Sequence, residues 1–133
     1  MYLLDTNVIS ELRKLRPHGA VVQWLRNVPD EALLLSAMTI GELQAGVELT
    51  RRQNPAKASE IEEWIDAICA SHDVLPMDAA VSREWARLMA GRSNNLLEDA
   101  IIAATARVHG LTVATRNVKD FEIFSVPIVN PFE

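Results

Sequence analysis

Short apolar runs alternate with apolar stripes at helical spacing along the whole chain. Tyr2 to Leu4 reads as a short buried strand, and Thr6 or Asn7 is a suitable N-cap for a helix through Val8, Ile9 and Leu12. Pro17 stands near the start of a second helix with Val21, Val22 and Leu25 as its stripe, ending before Pro29. Ala32 to Leu35 is the next apolar strand. Thr39 can cap a helix running to about Thr50, and Asn54-Pro55 opens a longer one with Ile61, Trp64, Ile65 and Ile68 on one side, the two pairing antiparallel.

Val74 and Leu75 make a minimal strand before Pro76, and Asp78 starts a helix through Val81, Trp85 and Leu88 that Gly91 ends. A further helix over about Leu96 to His109 stops at Gly110. Leu111 to Ala114 is a strand, and Ile128-Val129 a short last one before Pro131. Strands alternating with helices predict an α/β fold: a mostly parallel sheet of four to five strands covered on both faces. No internal repeat, linker or low-complexity tract interrupts it.

At 133 residues the chain suits one domain over 1–133, large enough to bury roughly two-thirds of its unfolded surface. An apolar fraction of 49% with 23% charged residues demands a packed core and excludes a disordered chain. The lone Cys69 cannot form an internal disulfide, and beside Ile65, Ile68 and Ala70 it suits an inert helix position. Met1 leads directly into the first apolar run with no basic leader, and no apolar stretch reaches the ~18 residues of a membrane span. A cytoplasmic protein without membrane contact is expected.

The net charge of −5 argues against broad binding of polyanions but leaves room for a local basic groove. Arg13, Lys14 and Arg16 cluster early, Arg51 and Arg52 follow the third helix, and Arg83, Arg87 and Arg92 recur at helical spacing. Each cluster is equally compatible with a solvated helix surface.

Four acids, Asp5, Glu42, Asp99 and Asp120, stand at the ends of apolar segments or along apolar faces. A carboxylate among apolar neighbours must be neutralised, hydrogen-bonded or bound to a cation. Asp5 ends the first strand, at the sheet edge where open α/β folds bind ligands; it can also cap the following helix, but because Thr6 and Asn7 offer capping oxygens it is free for another task. Glu42 points toward Gly46 and Leu49, away from Gln44 and Glu48, and two nearby glycines leave room for a close approach; a surface glutamate on a helix polar on two faces is the alternative. Asp99 shares a face with Ile102, Ala103 and Ala106, whereas Glu98 should project toward Thr105 and His109. An acid in a first helical turn is also explained by the helix dipole. After the Leu111 to Ala114 strand, Asn117 and Asp120 can offer oxygens to a cation, or serve a loop turn or cap. Thr115 adds a hydroxyl.

A set of carboxylates with no clustered Cys or His suits Mg²⁺ or Mn²⁺ rather than zinc. His18, His72 and His109 are isolated from one another, and no phosphate-cradling glycine loop is present. Phosphodiester hydrolysis is the reaction natural to such a site.

LLDTNVISELRK at the start, TIGELQAG around Glu42, LLEDAIIAATARVHGLTVATRN and the late VKDF together resemble the PIN-domain family, specifically its VapC and FitB type of toxin ribonuclease. The resemblance spans nearly the whole chain. It implies a PIN-like three-layer sandwich and a metal-dependent endoribonuclease acting as toxin in a type II toxin-antitoxin system. Asp5, Glu42 and Asp99 match the family's metal-binding acids, and Thr6 its site-lining hydroxyl. A fourth acid often follows a strand as T-x-D; Asn117 stands at that position, with Asp120 three residues later as a substitute. The resemblance further implies an RNA substrate, a homodimer and a small antitoxin, commonly with a DNA-binding domain.

Two other acidic α/β classes fit poorly. A receiver domain needs adjacent acids after the first strand and a later phospho-accepting Asp, and a dehalogenase-like phosphatase needs an acid where Asn7 stands. The non-enzyme alternative is a catalytically weakened module that keeps the fold and acts through an antitoxin and DNA complex, as Asn117 permits.

Overall fold

A computed structural model describes all residues, 1–133. Five parallel strands form the sheet: β1 Tyr2–Leu4, β2 Leu33–Ser36, β3 Val74–Leu75, β4 Thr112–Ala114 and β5 Ile128–Val129, in the order β3-β2-β1-β4-β5. Registers such as Leu3 with Leu34 and Val113 carry β1 through the centre. Seven α-helices connect them: α1 Thr6–Ile9, α2 Gly19–Asn27, α3 Ala37–Arg51, α4 Pro55–Ser71, α5 Ala79–Met89, α6 Leu97–His109 and α7 Val118–Glu122.

The two-residue period of the strands splits the interior into two cores. Leu3, Leu34 and Val113 face one side, against Ile102, Ala103, Ala106 and Phe121. Leu4, Leu33, Leu35 and Ala114 face the other, against Val8, Ile9, Val21, Leu25 and Ile68. With both faces covered, the strands are apolar at nearly every position, Ser36 and Thr112 excepted, as expected of parallel strands. A third cluster, Val47, Ala58 and Ile65, joins α3 to α4.

Several local expectations change. Asp5 itself occupies the cap position of α1, with its side chain accepting from the Thr6 amide, so Thr6 and Asn7 do not relieve it of that role. The α-helix from Thr6 ends at Ile9, and Ser10–Arg13 continues as a 3₁₀ turn. There Glu11 is buried, neutralised by Lys14 and accepting the His18 amide at 2.8 Å. β2 runs one residue later than expected. Ser36 rather than Thr39 caps α3, accepting from the Met38 amide at 3.1 Å, because the helix starts directly from the strand end. Thr39 lies inside that helix, fully buried, with no partner for its hydroxyl. The stretch after β4, where a loop turn or a helix cap was expected, forms α7 with Asn117 at its cap position.

Asn54 and Asp78 cap α4 and α5 as their positions predict. Gly110 ends α6 with φ of 66°, a left-handed conformation that a Cβ would strain. Cys69 is exposed on α4. No helix is long and apolar enough to cross a membrane.

Candidate active site

The strand order turns at β1: the chain builds β2 and β3 on one side of it, then β4 and β5 on the other. Such a switch point opens a crevice at the carboxyl ends of adjacent strands. Asp5 leaves β1 there, and its amide donates to Ala114 O at 2.9 Å, stitching the two strand ends together. α3 follows β2 and carries Glu42; α6 precedes β4 and carries Asp99.

Asp5 is buried, 5% exposed, and both its oxygens are fixed. Oδ1 accepts from the Thr6 amide at 2.8 Å. Oδ2 accepts from the Thr115 hydroxyl at 2.7 Å and from Asn7 Nδ2 at 3.1 Å. Thr115 Oγ1 in turn accepts the Asn117 amide at 3.0 Å. Burial raises the pKa of Asp5; these donors pull it down, and the nearby Asp120 carboxylate pushes it up.

Thr6 links the first two acids: its hydroxyl donates to Glu42 Oε1 at 3.1 Å, while its amide holds Asp5. Glu42 is half-buried, and desolvation, offset by the Thr6 hydroxyl and reinforced by Glu98 and Asp5, pushes its pKa up to about 7. Asp99, also half-buried, is pushed up to about 6 by desolvation and then by Asp5, Asp120 and Glu98. The three acids therefore share one electrostatic neighbourhood. None of them forms an ion pair with a Lys, Arg or His.

Asn117 and Asp120 are both exposed at the rim. Asp120 repels Asp5 and Asp99, whereas the side chain of Asn117 makes no hydrogen bond to cap α7. Two participants were not foreseen. Glu98, expected to point away, is exposed yet near enough for its charge to raise the pKa of both Glu42 and Asp99; at the first turn of a helix, adjacent residues can both reach one opening. Asn7 clamps Asp5 and accepts the Arg116 amide at 3.2 Å; its place two residues after Asp5 was the signal.

No group of three His, Cys, Asp or Glu side chains is drawn together tightly enough to enclose an ion. The chemistry of the donors still fits a hard dication: they are oxygen only, partly desolvated, mutually repelling and uncompensated by any protein cation.

An all-parallel α/β fold with carboxylates gathered at its switch point defines the class of protein. The PIN domain model matches residues 2–124, and the chain belongs to this family. The VapC ribonuclease Y4jK of Sinorhizobium fredii is 40% identical over 139 residues, covering 100% of this chain and 99% of that protein. The structure of FitAB bound to an IR36 DNA fragment is similar with a TM-score of 0.87 and 35% identity, covering 100% of this chain and 96% of that one. A toxin-antitoxin complex from Klebsiella pneumoniae is similar with a TM-score of 0.75 and 28% identity, covering 100% of this chain and 99% of that one.

Proposed function

We propose that residues 1–133 form one metal-dependent endoribonuclease domain, the toxin half of a type II toxin-antitoxin pair. The observation that carries this reading is the Asp5–Thr6–Glu42 linkage beside Asp99, a set of desolvated carboxylates with no protein cation to neutralise them. The similarity to a VapC ribonuclease supports RNA as substrate. The similarities to a toxin-antitoxin complex and to a DNA-bound FitAB complex support an antitoxin partner that carries a DNA-binding domain.

Asp5, Glu42 and Asp99 are the residues that would hold Mg²⁺ or Mn²⁺, which would supply positive charge to the phosphodiester and ease ionisation of the attacking water. Thr115 and Asn7 fix the Asp5 carboxylate, so its orientation needs no adjustment as substrate enters. Thr6 aligns Glu42, and Asp120 adds negative charge on the far rim.

Asp5→Asn keeps the size of the side chain and removes its charge. RNA cleavage by the unaltered protein with Mn²⁺ or Mg²⁺, lost in Asp5→Asn with folding retained, is the expected result. Cleavage that persists in excess EDTA and in the variant rules out the metal mechanism. RNA or DNA binding with no cleavage under any metal supports a non-catalytic module instead.

A further inference from the structure

Beside the acidic pocket lies a polar depression of about 380 Å³ lined by Arg116, Asn117, Val118, Lys119, Asp120, Asn130 and Glu133. Arg116 follows Thr115, which is hydrogen-bonded to Asp5, and its own amide is held by Asn7. The backbone that carries Arg116 is therefore tied at both hydrogen bonds to the groups that clamp Asp5.

The guanidinium of Arg116 lies over the ring of Phe132, 4.6 Å from its centroid, and the ring is braced by an edge contact from His18 at 5.1 Å. An arginine stacked on an aromatic face keeps its N–H edge free and loses rotamer freedom before any ligand arrives. Arg51, Arg87 and Arg107 spend their charge on Glu48, Glu62 and Glu84. Arg116 has no carboxylate partner, nor has Lys119 one residue beyond Val118. Two unpaired cations, one of them pre-oriented, thus stand next to a pocket that otherwise repels anions.

We propose that Arg116, positioned by Phe132 and assisted by Lys119, binds the RNA phosphate adjacent to the one being cleaved. The proposal rests on the ribonuclease reading above. A strand whose scissile phosphate sits over Asp5, Glu42 and Asp99 and that leaves past Asp120 passes residues 115–119, and a planar fork is suited to catch the next phosphate bidentately. The acidic pocket cannot hold RNA by charge alone, so a neighbouring cation compensates for its repulsion.

The test is fluorescence anisotropy of a fluorescein-labelled 12-nucleotide single-stranded RNA in EDTA, where metal-supported cleavage is absent, with the full chain and over a range of salt. Arg116→Gln is expected to weaken binding about tenfold, the loss of one charge-assisted contact. It should also reduce the slope of log affinity against log salt by about 0.7. Arg116→Lys keeps the charge and should keep the slope while losing part of the affinity. Arg83→Gln, exposed on α5 and remote in sequence, is the control and should match the unaltered protein. Equal binding by Arg116→Gln and the unaltered protein overturns the proposal and leaves the cations to an acidic polypeptide partner; so does an equal loss in Arg83→Gln. Should Arg116→Gln lose its fold by circular dichroism, Lys119→Gln, on the exposed surface of α7, must show a reduced slope or the proposal fails. If the unaltered protein neither binds nor cleaves RNA, the ribonuclease reading itself has failed.

Discussion

Replacing Glu42 by Gln should make the metal-free protein more stable and the enzyme inactive. Glu42 is ionised at the expense of folding: its pKa rises from the ordinary 4.5 to about 7 because the side chain is desolvated and faces Glu98 and Asp5. A change of that size corresponds to roughly 3 kcal/mol in a fully buried group. Solvent reaches half of this side chain and screens it, leaving roughly 1–2 kcal/mol. Gln preserves the acceptor for the Thr6 hydroxyl and turns a repulsion toward Glu98 into an N–H donor.

The pH dependence gives the idea its sign. Above pH 7 Glu42 is charged in the folded and unfolded chains alike, and the folded chain bears the full penalty. Below about pH 4.5 it is protonated in both, and the penalty vanishes. Glu42→Gln should therefore raise the melting temperature in EDTA by about 3–8 °C at pH 8 and leave it nearly unchanged at pH 4. Mn²⁺ should stabilise the unaltered protein at pH 8 more than the variant. Thermal melts followed by circular dichroism decide the matter: a variant less stable than the parent at pH 8, or a gain just as large at pH 4, refutes the electrostatic account of this pocket.

Thr115→Val removes the 2.7 Å bond to Asp5 with little change of shape, so stability at pH 7 in urea should fall by about 1–3 kcal/mol, and an unchanged midpoint would deny that bond a role. The fourth position can be assigned by calorimetric titration with Mn²⁺. Asp120→Asn should weaken metal affinity more than Asn117→Ala, because Asp120 acts on Asp5 and Asp99; the reverse order would return the role to Asn117.

Much of the architecture was readable in one dimension because its signals are local. Leu33, Leu34 and Leu35 form a continuous apolar run, which only a strand covered on both faces requires, and Gly110 marks a helix end by a conformation few other residues accept. Asp5, Glu42 and Asp99 stood out as candidates for the same reason, since each is a charge set against apolar neighbours. The cap of α3 was misplaced because Ser36 and Thr39 are both capping residues, and the choice depended on where β2 ended.

The amino-acid order alone determined an alternation of strands and helices and set the acids at strand ends and on helix faces, because burial and periodicity act between residues a few positions apart. Only the folded chain decided that β4 pairs with β1, and with it that Thr115 meets Asp5 across 110 positions and Thr6 meets Glu42 across 36. It also brought the exposed Glu98 near Glu42 and laid Arg116 on Phe132. These outcomes depend on hydrogen bonds and charges acting over a few ångströms between distant segments, and no neighbour in the sequence carries a trace of them.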